Sequence, residues 1–211
     1  MRWLDFLHLV DSAFPTGAYA HSSGLETLGS RDLFDSLTLR LRETLGRFEL
    51  VFLRYALDAN GDDLLALDAR FDSMLLPREA RQASALIGTA LLRGACELFD
   101  ADRLRQLQAR AKYRHQAVVF GAIAGTLDVP GHVAAQTYAF NAMRSQISAA
   151  QRLGWLGQRA AQQMLNSLKV EVYAAVQMAA ELEVDQAGAC APAWDIASMA
   201  HAYAPARMFA S

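Results

Sequence analysis

Residues 37–55 read LTLRLRETLGRFELVFLRY, and this stretch decides the fold class. Its apolar side chains recur every three or four positions, at Leu37, Leu41, Leu45, Phe48, Phe52 and Tyr55. That spacing places them on one face of an α-helix, whereas a half-buried strand would alternate apolar and polar residues. The stretch therefore predicts a helix that faces the core.

Two further stretches show the same spacing. One follows Pro77 and contains Ala83, Leu86, Ala90, Leu91 and Gly94. The other predicts a long central helix, loosened near Gly154 and Gly157, with the apolar positions Leu153, Leu156, Ala160, Met164, Leu168, Val172 and Val176. Because the prolines fall between these segments and alternating patterns are scarce, we predict an all-α fold. It is a single-domain helical bundle over residues 1–211, with a mobile C-terminal tail over 188–211.

Composition and charge exclude several classes of partner. The 211 residues are 53% hydrophobic and 20% charged, with a net charge of −2. This balance provides no basic patch for nucleic acid or anionic membranes. The longest apolar stretch, 117–127, is shorter than the roughly 20 residues that a membrane helix needs. Asp5 and His8 interrupt what would be the apolar region of a signal peptide, so we predict a cytoplasmic protein. The high apolar content is accounted for either by a large core or by a subunit interface.

The sequence contains no recognisable catalytic, cofactor or metal motif. No two histidines stand three or four positions apart, and the two cysteines lack a C-x-x-C partner. One alternative is a helical Mg-dependent diphosphate enzyme, in which Asp62, Asp63 and Asp68 would hold metal ions. A solvated helix N-terminus explains the same aspartates more simply.

Gly121 and Gly125 stand four positions apart in FGAIAG and would form a smooth helix face. Such a face permits close approach of another backbone, either inside the core or between subunits. We favour packing inside the core.

Four segments carry a resemblance to a known family. Residues 9–26 read LVDSAFPTGAYAHSSGLE, and residues 78–92 read REARQASALIGTALL. The third segment joins HQAVVFG at 115–121, through Tyr138, to AAQRLGWLGQ at 149–158. The fourth is the tail, with PAWDIASMAH at 192–201 and RMFAS at 207–211. In order and spacing these segments are similar to the urease accessory protein UreF family, over essentially the whole chain.

This resemblance implies an all-α, non-catalytic adaptor and chaperone, without a cofactor of its own. It would act with the UreD/UreH protein and the GTPase UreG on apo-urease, as a homodimer, in GTP-dependent nickel insertion. The tail would order when the complex forms, with Arg207 pinning it near Tyr19 or His21. An alternative is a same-fold adaptor that serves a non-urease client or another GTPase.

The partner-binding residues that the resemblance implies lie in three of these segments. They are Tyr19, His21, Ser22, Gly24, Glu26, Arg152, Gln158, Asp195, Ser198, His201, Arg207 and Phe209. The chain departs from the family pattern at Ala18, Ala202 and Ala210, and Pro205 restricts the backbone of the tail. These departures predict weaker or altered docking of the tail.

Overall fold

The computed structural model describes residues 2–201, 203–204 and 207–210. Within these ranges the secondary structure is helical and contains no β-strand, which confirms the all-α prediction. The α-helices are α1 (Trp3–Val10), α2 (Leu25–Leu28), α3 (Leu33–Arg40), α4 (Leu50–Asp58), α5 (Gly61–Met74), α6 (Arg78–Leu98), α7 (Asp102–Arg110), α8 (Gln116–Thr126), α9 (Gly131–Arg152), α10 (Gln158–Ser167), α11 (Lys169–Glu181) and α12 (Pro192–His201).

The stretch that predicts the fold forms one continuous helical path from Leu33 to Asp58. Between α3 and α4 it widens into a π-helical segment, Leu41–Glu49. The predicted stripe is buried from Leu37 to Phe52, with Tyr55 at its partly exposed edge. Gly46 allows the backbone of α11 to approach this segment, since an added Cβ would lie 3.2 Å from the Cα of Ala175. The π-helical segment is therefore packed directly on α11.

Helix α8 is the central helix, since residues 117–124 are buried on every face. A Cβ at Gly121 would overlap the carbonyl oxygen of Leu53, and one at Gly125 would overlap that of Leu57. The preference for core packing at these two glycines is thereby confirmed. No helix among the described residues is both long and apolar enough to cross a membrane.

Two predictions about helices were wrong in detail. The stripe over 153–176 is not one central helix. The predicted break near Gly154 and Gly157 is present, but the stripe divides a second time at Leu168, between α10 and α11. Gly154 has φ +77°, which ends α9 in the left-handed region that glycine favours. On α6, Leu86 is 63% exposed, and the buried face instead contains Ala83, Ile87, Gly88, Leu91, Leu92 and Ala95.

A buried polar network fixes the loop before α8. The carboxylate of Asp68 accepts hydrogen bonds from the backbone N–H groups of Tyr113, Arg114 and His115, at 3.2, 2.8 and 2.8 Å. The His115 ring lies 3.1 Å from Asp72 through Nε2 and 3.2 Å from the Ser84 hydroxyl through Nδ1. Burial lowers the pKa of His115, although the two aspartates oppose the shift. This network is structural.

Candidate protein-docking site

The tail segment begins on the π-helical segment. The N–H of Gly188 donates to the carbonyl of Arg47 at 3.0 Å, and that of Cys190 donates to the carbonyl of Glu43 at 3.1 Å. A carbonyl oxygen has two lone pairs, so it can accept a bond from outside the helix in addition to its helical one. These bonds align the tail with the helix that carries the main hydrophobic stripe.

Helix α12 continues the tail along α2 and α3. The indole N–H of Trp194 donates to the carbonyl of Ser36 at 3.1 Å. Gly24 has φ +87°, and a Cβ there would lie 3.0 Å from the backbone nitrogen of Ser198. Glycine is required at this position because of both its conformation and the close approach of α12. Ser198 is itself buried in this contact.

The end of the tail is held by Glu26. Its carboxylate accepts hydrogen bonds from the backbone N–H groups of Met208 at 2.9 Å and Phe209 at 3.3 Å. The N–H of Ala210 donates to the carbonyl of Ala20 at 2.8 Å. A single carboxylate thus satisfies two successive backbone donors, the pattern that anchors a turn to a neighbouring helix.

His201 joins α12 to the returning chain. Its Nε2 lies 3.2 Å from the carbonyl of Phe209, and its Nδ1 lies 3.2 Å from the Thr27 hydroxyl. Because a carbonyl only accepts, the network assigns the proton to Nε2, and Nδ1 then accepts from Thr27. The buried imidazole therefore links the tail to α2.

Arg152 lies between two aromatic rings at the same end of the molecule. Its guanidinium carbon is 3.6 Å from the centre of the Tyr19 ring and 4.2 Å from that of the Phe209 ring. Arginine in this arrangement is stabilised by the electron-rich faces of both rings. The sandwich joins α9 and the tail to residues 9–26, which we call the signature.

A cleft of about 480 Å³ lies beneath the signature and α12. Arg40, Glu49 and Tyr138 contribute polar groups to its wall, and the Tyr138 hydroxyl donates to the Glu49 carboxylate at 2.6 Å. Burial raises the pKa of Glu49, although Arg40 opposes the shift, and burial with the Glu49 charge raises the pKa of Tyr138. Burial also raises the pKa of Asp195, again against the effect of Arg40.

The outward face of the docked tail is apolar. Tyr203 is 89% exposed and Ile196 is 63% exposed, with Met199 and Met208 also on the surface. Tyr19 is exposed beside the end of the tail. Aromatic and methionine side chains are enriched at protein interfaces, and a cluster of them on the surface is typical of a docking site.

Most of the site residues predicted from the sequence meet around this contact between signature and tail. Gly24 contacts Ser198, Glu26 binds the backbone of Phe209, and Arg152 lies against the rings of Tyr19 and Phe209. His201 also binds the Phe209 carbonyl, and Asp195 lines the cleft. Ser22 is fully buried, and His21 is partly buried, with a pKa that burial lowers. Gln158 lies at the margin, where it accepts a hydrogen bond from Gln151 at 2.8 Å.

The role of Arg207 as the pin of the tail in a complex stays a prediction. Its side chain is exposed and makes no hydrogen bond or ion pair with the described part of the chain. Glu26, His201 and Arg152 hold the tail instead, because they reach its backbone and the Phe209 ring. Ala202 and Pro205 lie outside the described residues, whereas Ala210 is one of the hydrogen-bonded positions.

Sequence reasoning missed three contributors to the site. Arg40 and Glu49 lie beside the apolar stripe of residues 37–55, among several other charged residues, so the sequence does not single them out. The π-helical carbonyls that accept from the tail have no signal in the residue types. These positions depend on a backbone conformation that periodicity does not reveal.

Two of the aspartates of the diphosphate-enzyme alternative have other partners in the structure. Asp68 is occupied by three backbone N–H groups, and Asp62 pairs with Arg110 at 2.6 Å. In residues 2–201, 203–204 and 207–210 no group of three or more His, Cys, Asp or Glu side chains is placed to hold a metal ion.

Comparisons with known proteins agree with the resemblance of the four segments. The UreF family model matches residues 29–169. The chain is 35% identical to the urease accessory protein UreF of Arthrobacter sp. (strain FB24), over 99% of this chain and 96% of that protein. It is 36% identical to the protein of the same name from Paenarthrobacter aurescens (strain TC1), over 99% and 97% of the two chains. A plant relative, urease accessory protein F of Oryza sativa subsp. japonica, is 31% identical over 95% of this chain and 82% of its own.

Proposed function

This chain belongs to the UreF family of urease accessory proteins, and on that premise we propose that it is a non-catalytic adaptor for GTP-dependent nickel insertion into apo-urease. In this proposal a cytoplasmic homodimer binds the UreD/UreH protein, and the resulting complex recruits the GTPase UreG. The observation that carries the proposal is the contact between the signature and the tail, through Glu26 and Arg152. Large apolar side chains of both segments are exposed beside this contact.

The composition of this surface supports binding to a protein. The exposed side chains are large and adaptable, and the chain as a whole has a net charge of only −2. They are Tyr19, Ile196, Met199, Tyr203 and Met208. Burying such side chains against a partner contributes about 25 cal/mol per Å² of apolar area, before the cost of association is subtracted. A partner of mixed apolar and polar character fits this surface better than an anionic polymer does.

The way in which the surface is assembled supports a role in ordered recruitment. Glu26 binds residues that lie 182 and 183 positions further along the chain, so the surface exists only while the tail is docked. A partner that binds the docked tail therefore also favours the signature conformation beneath it, and the two binding events become thermodynamically coupled. We infer that UreD/UreH and UreG use this coupling.

Co-purification with UreD/UreH and UreG tests the proposal. The full chain is compared with a chain truncated after Cys190 and with Tyr203→Asp, which leaves the fold intact because Tyr203 is 89% exposed. Leu76→Asp is the matched control, since Leu76 is 72% exposed on the loop between α5 and α6. We expect the full chain and Leu76→Asp to recruit UreG.

Tyr203→Asp and the truncated chain should lose at least tenfold in UreG recruitment, since each removes apolar contact area at the surface. Thermal unfolding checks that Tyr203→Asp is folded. If Tyr203→Asp and Leu76→Asp recruit UreG equally well, the tail surface is not the docking site. If the full chain recruits neither partner, the urease role itself is wrong and the alternative of another client becomes the better one.

A further inference from the structure

Arg40 occupies the point where four segments of the chain meet. It ends α3, and its Nη1 donates to the carbonyl of Ser23 in the signature at 3.2 Å. Its guanidinium carbon lies 4.8 Å from the centre of the Trp194 ring in the tail. Glu49 of the π-helical segment and Asp195 of the tail attract it electrostatically. No other cation in the described part of the chain acts on both of these carboxylates.

The balance of charge in the cleft depends on whether the tail is docked. Without the tail, Arg40 and Glu49 form one positive and one negative group. Docking adds Asp195, so that two carboxylates then share a single guanidinium within a partly desolvated cleft. A carboxylate in such a place is stabilised by a nearby cation. Arg40 is therefore needed for Asp195 to enter.

We propose that Arg40 is the positioning residue that holds α12 on the body and thereby assembles the docking surface, an inference that rests on the proposed function for its biological meaning. Glu26 anchors the far end of the tail through backbone bonds, whereas Arg40 anchors its helix through charge and the Trp194 ring. The two anchors are independent because they contact the tail at residues 194–195 and 208–209.

Hydrogen exchange of the free full-length protein tests this role. Exchange of the backbone amides of α12 reports release of the tail, whereas exchange of α8 amides reports global opening. Arg40→Met keeps the length of the side chain and removes its charge. We expect α12 amides to exchange about five- to tenfold faster in Arg40→Met, because the cation–π contact with Trp194 and the electrostatic attraction to Asp195 are both lost.

Asp195→Asn distinguishes coupling through charge from simple loss of packing. In the natural background it should speed the exchange of α12, because it removes an attraction to Arg40. In the Arg40→Met background the same substitution should change the exchange little, because the attraction that it removes is already absent. Arg40→Lys should restore part of the protection, since it keeps the charge but not the planar group over Trp194.

The outcome that overturns the proposal is an Asp195→Asn effect of the same sign and size in both backgrounds. Arg40→Met/Glu49→Gln is the control for misfolding, because it leaves no uncompensated Glu49 charge in the cleft. Its α12 should still exchange faster than in the natural protein, because the contacts of Arg40 with Trp194 and Asp195 are absent. Exchange is measured without partners, so its result is independent of UreG recruitment. A tail that responds as expected in a chain that recruits no partner would refute the proposed function and leave the role of Arg40 intact.

Discussion

The carboxylate of Glu26 lies 2.9 Å from the backbone nitrogen of Met208, although the two residues are separated by 182 positions in the chain. The same carboxylate reaches the N–H of Phe209. Glu26→Ala should leave both donors without a protein partner and weaken docking of residues 207–210 by about 1–2 kcal/mol. Amide exchange at Phe209 measures this change. Glu26→Gln retains one acceptor oxygen and should show an intermediate effect, and equal exchange in all three proteins would exclude the anchor.

Arg152 stabilises the same end of the tail through the rings of Tyr19 and Phe209. Arg152→Ala should weaken docking by about 1 kcal/mol, because a cation partly removed from water over two rings is lost. The rate of cleavage by chymotrypsin after Phe209 should rise accordingly. Arg159→Ala is the matched control, since Arg159 is exposed on the neighbouring helix α10. A rate that rises equally in both variants would show that the sandwich contributes nothing.

Asp68 stabilises the whole fold. Asp68→Ala would leave three backbone N–H groups of the 113–115 loop without their acceptor, at a cost of about 3–5 kcal/mol in the free energy of unfolding. Urea denaturation measures this loss. Asp62→Ala should cost less than about 1 kcal/mol, because its ion pair with Arg110 is exposed. Similar losses in the two variants would contradict the assigned role of Asp68.

The close approach of α8 to α4 predicts a steric effect. Gly121→Ala should destabilise the protein by about 3 kcal/mol, because the new methyl group overlaps the carbonyl oxygen of Leu53 and the helices must separate. Gly157→Ala is the control, as nothing lies within 4 Å of its added Cβ. Thermal unfolding compares them. If Gly121→Ala unfolds at the same temperature as Gly157→Ala, the two helices are not in contact at this point.

Buried histidine makes stability dependent on pH. The folded protein lowers the pKa of His115 chiefly through burial, so the unfolded chain binds the proton more readily. Stability is therefore fully present above the ordinary imidazole value of about 6.5 and is lost as the pH falls through the folded-state pKa. His115→Gln should reduce the loss of unfolding free energy between pH 7 and pH 5, measured by urea denaturation. The pKa of His21 is also lowered by burial, so some pH dependence should remain; an unchanged slope would rule out His115 as its source.

Periodicity predicts those parts of the fold in which one face of a helix is buried. It identifies residues 37–55 because apolar side chains recur there every three or four positions, with polar side chains in between. It misses the centrality of α8, because a helix that is apolar on every face has no stripe to detect. The resemblance to a family identifies Glu26, His201 and Phe209 as candidate site residues. It does not predict that they contact each other, because that depends on how the chain folds back on itself.

The charged part of the site could not be predicted in the same way. Arg40 and Glu49 are nine positions apart, and on a regular α-helix their relative direction would follow from 3.6 residues per turn. The π-helical segment between them changes that direction, so sequence spacing alone does not show that both face the cleft. Arg207 belongs to a family motif, yet its side chain is exposed. Glu26 and His201 bind the backbone of the tail at Met208 and Phe209.

The position of α8 in the chain also affects how the protein emerges from the ribosome. A short helix that is apolar on all sides would bind chaperones or other nascent chains if it were left exposed during synthesis. The two helices against which α8 packs most extensively, α4 and α6, both precede it in the sequence. They have therefore already been synthesised when α8 appears, and α9, the next helix to follow, covers it further. The order of the helices thus limits the time for which this segment is open to aggregation.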